Sequence, residues 1–291
     1  MNRREFILGA AAGVISPVFA ADDGGLRLRF LGTGAADWDG PDERGERRRL
    51  SSVLIDNCTV IDFTKTAEDM LPAGVRPDTI LYTHSHDDHY DPAAALRAGV
   101  RRVFAHESWA DGARAEFARA AQEMNVAAPS VTALAFGETV AVGGVLYTCV
   151  PANHATARKG EHTAMYLLEC GAERILYATD TGGVTAEAAR IVGIDAHVHP
   201  GRPITALIME ATMGVDYADD FRIYTHSSVA TVAQLVRVLT QTKRYLPPPG
   251  RKVYLTHMAK TLHGSQAEVA AAVPSPLAPA YDGLELVFGR G

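Results

Sequence analysis

Apolar and basic residues alternate from Leu26 to Leu31 (LRLRFL), the two-residue period of a strand whose faces see different surroundings. Val53 to Ile55 and Thr59 to Phe63 are short apolar runs around Asp56-Asn57 and predict a hairpin. Residues 66–73 have short helical spacing, and Thr79 to Thr83 is a further apolar strand. Pro92 to Ala98 and Ser108 to Met124 carry the three-to-four spacing of helices. Five strands follow: Val131 to Leu134, Glu138 to Val142, Val145 to Val150, Met165 to Cys170 and Ile175 to Thr179. Helix and strand then alternate: Ala186 to Val192, Ala206 to Glu210, Ser228 to Gln241, Val253 to Thr256, with a last strand from Leu284 to Phe288. That order suits an α/β architecture of two mixed sheets packed together with helices outside.

The connecting segments add detail. Gly32-Thr33-Gly34 reads as a tight turn and lacks the third glycine of a dinucleotide-binding loop. Residues 37–49 are charged and contain Gly and Pro, so a mobile loop is expected, with Trp38 as a lip over a site. Pro247 to Gly250 is a rigid loop, not a linker, and 274–283 is expected to be a surface segment. No repeat of fixed period is visible.

The chain has 291 residues, 47% of them hydrophobic and 21% charged, which excludes a disordered chain, a collagen-like fibre and a coiled coil. A formal net charge of −6 makes long nucleic acid an unfavoured partner. Cys58, Cys149 and Cys170 stand apart, which excludes a disulfide framework and suggests three small buried apolar groups. Residues 1–21 (MNRREFILGAAAGVISPVFAA) join two arginines, a short apolar stretch with Pro17 and a small-residue end. This is the layout of a secretory signal of the twin-arginine type, with a lipid-facing anchor as the alternative. The expectation is a mature domain over 22–291, periplasmic or secreted, without stable membrane insertion, and with a homodimer left open.

Candidate chemistry concentrates in THSHDDH, residues 83–89, directly after an apolar strand. His84 and His86 share a face if extended, and a turn brings Asp88 and His89 close. Imidazole and carboxylate together suit zinc, iron or manganese, with zinc favoured for hydrolysis at neutral pH. His154, Asp180 and His257 each stand just beyond the end of an apolar strand, where converging loops build sites. Taken singly they are ordinary loop residues; taken with the histidine-dense turn they are candidate ligands.

This pattern resembles the metallo-β-lactamase-fold superfamily, whose HxHxDH signature is met by His84, His86, Asp88 and His89. The resemblance implies a four-layer αββα sandwich and two divalent metal ions. One would be held by His84, His86 and His154, the other by Asp88, His89 and His257, with Asp180 bridging. Asp62 in VIDFT matches the acidic residue that braces the metal loop, and a water between the metals would be the nucleophile. Asp180 replaces what true β-lactamases carry at that position. LIMEATM at 207–213, THSS at 225–228 and LTHMA at 255–259 look like the ribonuclease Z and cyclic phosphodiesterase branch.

In that branch the residue matching His226 protonates or hydrogen-bonds the scissile phosphate; the plain alternative is a helix cap shared with Ser227 and Ser228. With no basic arm for tRNA and no additional Cys/His zinc site, the expected substrate is a small or cyclic phosphodiester. Hydrolysis of a lactone, thioester or β-lactam, or a non-catalytic metal-binding role, are the competing readings. Among the remaining histidines, His162 is a pocket or surface residue, His197 and His199 lack companion ligands, and His106 and His263 read as surface or supporting groups.

Overall fold

The structure is a computed structural model that describes residues 25–195 and 201–289. The signal-like residues 1–21, and His197 and His199, lie outside the described residues.

The first half of the chain builds one sheet from β1 (Leu26–Gly32), β2 (Ser52–Ile55), β3 (Thr59–Ile61), β4 (Thr79–Leu81), β5 (Arg102–His106) and β6 (Ser130–Leu134). The second half builds another from β7 (Thr139–Val142), β8 (Val145–Pro151), β9 (Ala164–Cys170), β10 (Glu173–Ala178), β11 (Ala206–Glu210), β12 (Val253–Thr256) and β13 (Leu277–Pro279). The last strand, β14 (Glu285–Phe288), returns to the first sheet, so the orders are β14-β1-β2-β3-β4-β5-β6 and β13-β12-β11-β10-β9-β8-β7. Each sheet is mixed: β3 to β6 run parallel, as do β10 to β13, while the other pairs are antiparallel.

Side-chain alternation decides what packs where. Leu26, Leu28, Phe30, Val53 and Ile61 meet Tyr147, Tyr166, Tyr177 and Ile208 in the layer between the sheets. Their neighbours Leu31, Leu54, Val60 and Ile80 point the other way, into a second core with α1 (Pro92–Ala98) and α2 (Glu107–Met124). The outer face of the second sheet is covered by α3 (Ala186–Val192), α4 (Val229–Gln241) and α5 (Gln266–Ala272). The result is four layers, helix, sheet, sheet, helix, as expected.

Local departures from the sequence reading have local causes. The hairpin forms because Asp56 and Asn57 both take positive φ, 45° and 57°, as the tight two-residue turn requires. The helix expected over 66–73 is a 3-10 turn at Lys65–Met70. Strand β5 was not foreseen; its RVFAH is short and breaks period two with a basic residue and a histidine. The segment 274–283 is not merely surface: Leu277–Pro279 is the edge strand β13, its Leu277 and Pro279 buried. The proline is tolerated there because an edge strand has one unpaired side. Cys149 and Cys170 are buried, but Cys58 is only half-buried, contrary to expectation.

The loop after β1 is fastened, not a free lip. Trp38 is buried and its Nε1–H donates to the Met258 carbonyl at 2.7 Å. Asp37 accepts from the backbone N–H groups of Lys260 and Thr261 at 2.8 and 2.9 Å and from the Thr261 hydroxyl at 2.8 Å. Gly32 is required by close approach: a Cβ there would meet the Leu50 carbonyl oxygen at 1.9 Å.

Candidate metal centre

Parallel strands in both sheets deliver their C-terminal ends to one edge of the sandwich, where backbone is fixed and side chains converge. Past β4 the chain places Thr83, His84, His86, Asp88 and His89; past β8 comes His154; past β10, Asp180; past β12, His257. Two overlapping groups result: His84, His86, His154 and Asp180, and Asp88, His89, Asp180 and His257. Within each group the donor atoms lie within 4.8 Å of one another.

The orientation of each ring follows from what its far nitrogen touches. Asp62 is fully buried and accepts from Thr83 N–H at 2.8 Å through Oδ1, and from Thr83 Oγ1 at 2.7 Å through Oδ2. With its proton given to Asp62, Thr83 Oγ1 accepts from His84 Nδ1–H at 2.9 Å. His89 Nδ1–H donates directly to Asp62 Oδ2 at 2.8 Å. His154 Nδ1–H donates to the Thr225 carbonyl at 3.2 Å, and His257 Nδ1–H to Thr212 Oγ1 at 2.9 Å. In all four rings a proton is thereby held on Nδ1, and Nε2 faces the centre.

Lone pairs facing one another need a cation. His84 Nε2 is 3.0 Å from His86 Nδ1 and 3.2 Å from Asp180 Oδ2, and His154 Nε2 is 3.3 Å from His86 Nδ1. Nitrogen ligands roughly 2.0–2.1 Å from a zinc ion stand about 3.3 Å apart at tetrahedral angles. In the second group His89 Nε2 lies 2.7 Å from Asp180 Oδ2 and 3.3 Å from Asp88 Oδ2. His257 Nε2 lies 3.1 Å from Asp180 Oδ1 and 3.3 Å from Asp88 Oδ2. His89 Nε2 and Asp180 Oδ1 are buried without a hydrogen-bond partner, a costly state that a bound cation would relieve. The donor set therefore fits a divalent metal centre.

Electrostatics run the same way. Burial opposes ionisation of Asp180, yet the charges of His257 and His89 hold it well below the usual carboxylate range. Asp88 is likewise held low against burial, by the neighbouring His89 and His257. Burial and the nearby His89 charge push His84 well below an ordinary imidazole. Ionised carboxylate and neutral imidazole are the forms that bind metal; against its burial, Asp88, Asp180 and Asp62 push His89 well above an ordinary imidazole, so a cation there would displace its Nε2 proton.

A third group, Asp180, Glu210, His226 and His257, adjoins these two. His226 Nδ1 lies 3.3 Å from Asp180 Oδ1, 3.3 Å from Glu210 Oε1 and 3.2 Å from Thr212 Oγ1. Burial works against the His226 cation, but the nearby Asp180 and Glu210 carboxylates prevail and push it up to about 10. Glu210 already accepts from Thr181 N–H, Thr212 N–H and the Thr212 hydroxyl, so its oxygens are occupied by the protein. The helix cap is Ser228, which forms a capping box with Thr231. His226 lies two residues before that cap, with its ring turned to the acids.

The sequence reading assigned no role to four supporting residues: Thr83, Thr212, Glu210 and Glu161. Glu161 accepts from Ser85 N–H at 2.8 Å and Ser85 Oγ at 2.6 Å, tying the 155–162 loop to the histidine-dense turn. Glu210 carried a legible signal, a carboxylate ending an apolar strand as Asp62 and Asp180 nearly do. His263 is half-buried and bonds the Ala211 carbonyl at 2.7 Å. His106 is buried at the start of α2, where its Nδ1 accepts from Ser108 N–H.

Residues 52–258, more than two thirds of the chain, match the β-lactamase superfamily domain. The chain belongs to that family. No curated protein matches it in sequence. Among solved structures, the metallo-β-lactamase fold protein YhfI from Bacillus subtilis is similar at TM-score 0.63 and 13% identity, covering 90% of this chain and 99% of that one. Zn2+-bound PqqB from Methylobacterium extorquens is similar at 0.61 and 18%, covering 90% and 100%. A diphosphatase of the PhnP family is similar at 0.54 and 19%, covering 90% and 98%. At these identities the likeness is one of fold, and this superfamily member's chemistry has to be argued from its own side chains.

Proposed function

We propose that this superfamily member is a dinuclear metal-dependent hydrolase of small or cyclic phosphodiesters, with His226 as the general acid. His84, His86 and His154 would hold one cation, Asp88, His89 and His257 the other, and Asp180 both. Two such cations, zinc being favoured, would supply Lewis acidity toward a phosphoryl group and lower the pKa of water. The observation that carries the phosphodiester reading is His226, clamped through Nδ1 by Asp180 and Glu210 beside the two cation positions. A protonated imidazole held there can give its Nε2 proton to a departing alkoxide, which a phosphodiester needs. Glu210 supports that protonation independently of Asp180, because its own contacts are within the protein. Ser228 supplies the cap, which weakens the plain alternative for His226. The similarity to a PhnP-family diphosphatase supports phosphorus chemistry, and that to Zn2+-bound PqqB supports zinc.

We further propose export in the folded state through the twin-arginine-type segment 1–21. A net charge of −6 argues for small substrates over long nucleic acid.

The test is turnover of bis(p-nitrophenyl) phosphate beside a chromogenic lactone and nitrocefin, before and after chelation. Chelator-sensitive phosphodiester cleavage is expected, falling roughly 10²–10⁴-fold in His226→Ala. Fast lactone turnover with an untouched phosphodiester would overturn the reading, and an unaffected His226→Ala rate would remove the general acid.

A further inference from the structure

The three histidines proposed for one cation come from two loops, and one short strap joins those loops. His154 stands at the start of the connection between β8 and β9, and Glu161 near its end. The base of this connection is closed: Ala152 N–H donates to the Thr163 carbonyl at 3.0 Å, and Thr163 Oγ1 to the His154 carbonyl at 3.1 Å. Its outer side is moored to α2, where Arg158 pairs with Glu116 at 3.0 Å. From there Glu161 reaches the histidine-dense turn and grips Ser85, the N–H through Oε1 at 2.8 Å and the hydroxyl through Oε2 at 2.6 Å. Ser85 is the residue between His84 and His86.

The side chain of Glu161 is only 1% exposed, a costly setting for a carboxylate unless hydrogen bonds meet both oxygens. They do, because Oε2 also accepts from Thr156 Oγ1 at 3.0 Å. The ring that depends most on this grip is His86. His84 and His154 are oriented through Nδ1 by Thr83 and Thr225. His86 is reversed: its Nδ1 lies 3.0 Å from His84 Nε2 and 3.3 Å from His154 Nε2, and among the described residues its Nε2 has no hydrogen-bond partner. Backbone alone therefore places it. On one side its carbonyl accepts from His89 and Tyr90 N–H, both at 2.9 Å, and on the other stands Ser85 in the hold of Glu161. Among the described residues, no hydrogen bond of 155–162 ends on Asp88, His89 or His257.

We propose that Glu161 is a positioning residue for one half of the metal centre: its grip on Ser85 sets His86 against His84 and His154, and so sets the affinity for the cation these three would hold and not for the other. The count of two cations rests on the dinuclear reading; the dependence of the three histidines on Glu161 does not. Glu161 acts here through geometry, not charge. An amide in its place keeps the grip, because its oxygen can accept from Ser85 N–H while its NH2 donates to the Ser85 hydroxyl. A methyl group keeps nothing.

The experiment is zinc titration of the chelator-stripped protein against a chromophoric competitor, with circular dichroism to confirm the fold. The proteins are the wild type, Glu161→Ala, Glu161→Gln, and Glu161→Ala combined with Thr212→Val. In Glu161→Ala one zinc should bind about 10- to 100-fold more weakly, the usual worth of a group that orients a ligand, while the other keeps wild-type affinity. Glu161→Gln should restore the weakened zinc, and the double variant should hold both weakly, since Thr212 serves His257 in the other group. Two zinc ions at wild-type affinity in Glu161→Ala, both weakened alike, or no restoration by Glu161→Gln would each overturn the inference. So would a double variant that keeps one zinc at wild-type affinity. Should Glu161→Ala not fold, Ser85→Ala decides in its place: it removes half the grip and should weaken one zinc by up to about 10-fold, and an unchanged titration would overturn the inference. A wild type that takes up a single zinc, weakened in Glu161→Ala and restored in Glu161→Gln, would sink the dinuclear reading and uphold the role of Glu161. A single zinc indifferent to Glu161 would refute both.

Discussion

Asp62 is as fully buried as His84 and His89, and a change of one atom there should disturb both proposed cation positions at once. In Asp62→Asn the backbone N–H of Thr83, now 2.8 Å from Oδ1, fixes the amide oxygen at that place. The new NH2 must then occupy the position of Oδ2, which receives protons from Thr83 Oγ1 at 2.7 Å and His89 Nδ1 at 2.8 Å. Donor meets donor twice. The Thr83 hydroxyl relieves its conflict by turning its proton toward His84, which obliges His84 Nδ1 to accept and puts the ring proton on Nε2. His89 relieves its own conflict the same way. Both imidazoles end with N–H where a lone pair is needed, one ring in each ligand group.

Partners of this kind are each worth about 10- to 100-fold in metal affinity, or about 1.4–2.7 kcal/mol. Each of the two proposed cations should therefore bind Asp62→Asn about 10- to 100-fold more weakly. The assay is zinc titration of chelator-stripped protein against a chromophoric competitor, with circular dichroism to confirm the fold. Thr212→Val is the comparison, because Thr212 Oγ1 accepts only from the Nδ1 of His257 among the proposed ligands. It should weaken one cation and spare the other. If folded Asp62→Asn keeps two zinc ions at wild-type affinity, the tautomer argument fails, and the assignment of His84 and His89 to different cations fails with it.

Two further expectations lie away from the ligands. Burial, helped by the charge of His162, pushes His106 down to about 4, so it is neutral when folded, whereas the unfolded chain takes up a proton near 6.5. Folding stability from this group is thus fully present above the unfolded value and is lost as pH falls from about 6.5 toward 4. The urea stability of the wild type relative to His106→Asn should decline by up to about 1.4 kcal/mol per pH unit between pH 6 and 5, and a difference independent of pH would contradict it. The Asp37 clasp makes a separate prediction by hydrogen exchange. Asp37→Ala should speed exchange of the Lys260 and Thr261 amides at least about 10-fold, since a hydrogen bond to a charged acceptor is worth about 1.5–3 kcal/mol. Unchanged protection would mean that Trp38 alone fastens the loop.

The layered fold was legible because buried strands advertise themselves. LRLRFL alternates, its apolar positions turn to the two cores, and the pairing of β1 with β2 and β14 follows. Strand β5 and the edge strand at Leu277–Pro279 escaped because both are short and one ends in a proline, so pairing, not pattern, makes them strands. The seven proposed ligands were legible from residue type and from their place after apolar runs. Their supports were not, because a threonine that relays a proton looks like any threonine until the far nitrogen of a histidine is placed against it. Even so, Thr83 and Thr212 orient His84 and His257, as Asp62 orients His89.

One property joins the legible and illegible parts. Asp62, Asp180 and His257 all stand just past the ends of strands, and all take left-handed backbone, with φ of 53°, 47° and 51°. A non-glycine residue pays about 1–2 kcal/mol for that conformation, although Asp and His tolerate it better than most. Three such residues at one edge are three places where the local preference to continue extended is overruled. What overrules it is the network itself: Asp62 is held by Thr83 and His89, and His257 by Thr212. The left-handed step turns each chain out of its strand at the residue whose side chain must reach the centre. Replacement by glycine would ease the backbone and remove the ligand or brace together. Of the seven non-glycine residues with positive φ among the described residues, these three stand where the proposed chemistry is, as they would if the edge were shaped to present these side chains and not merely to end a sheet.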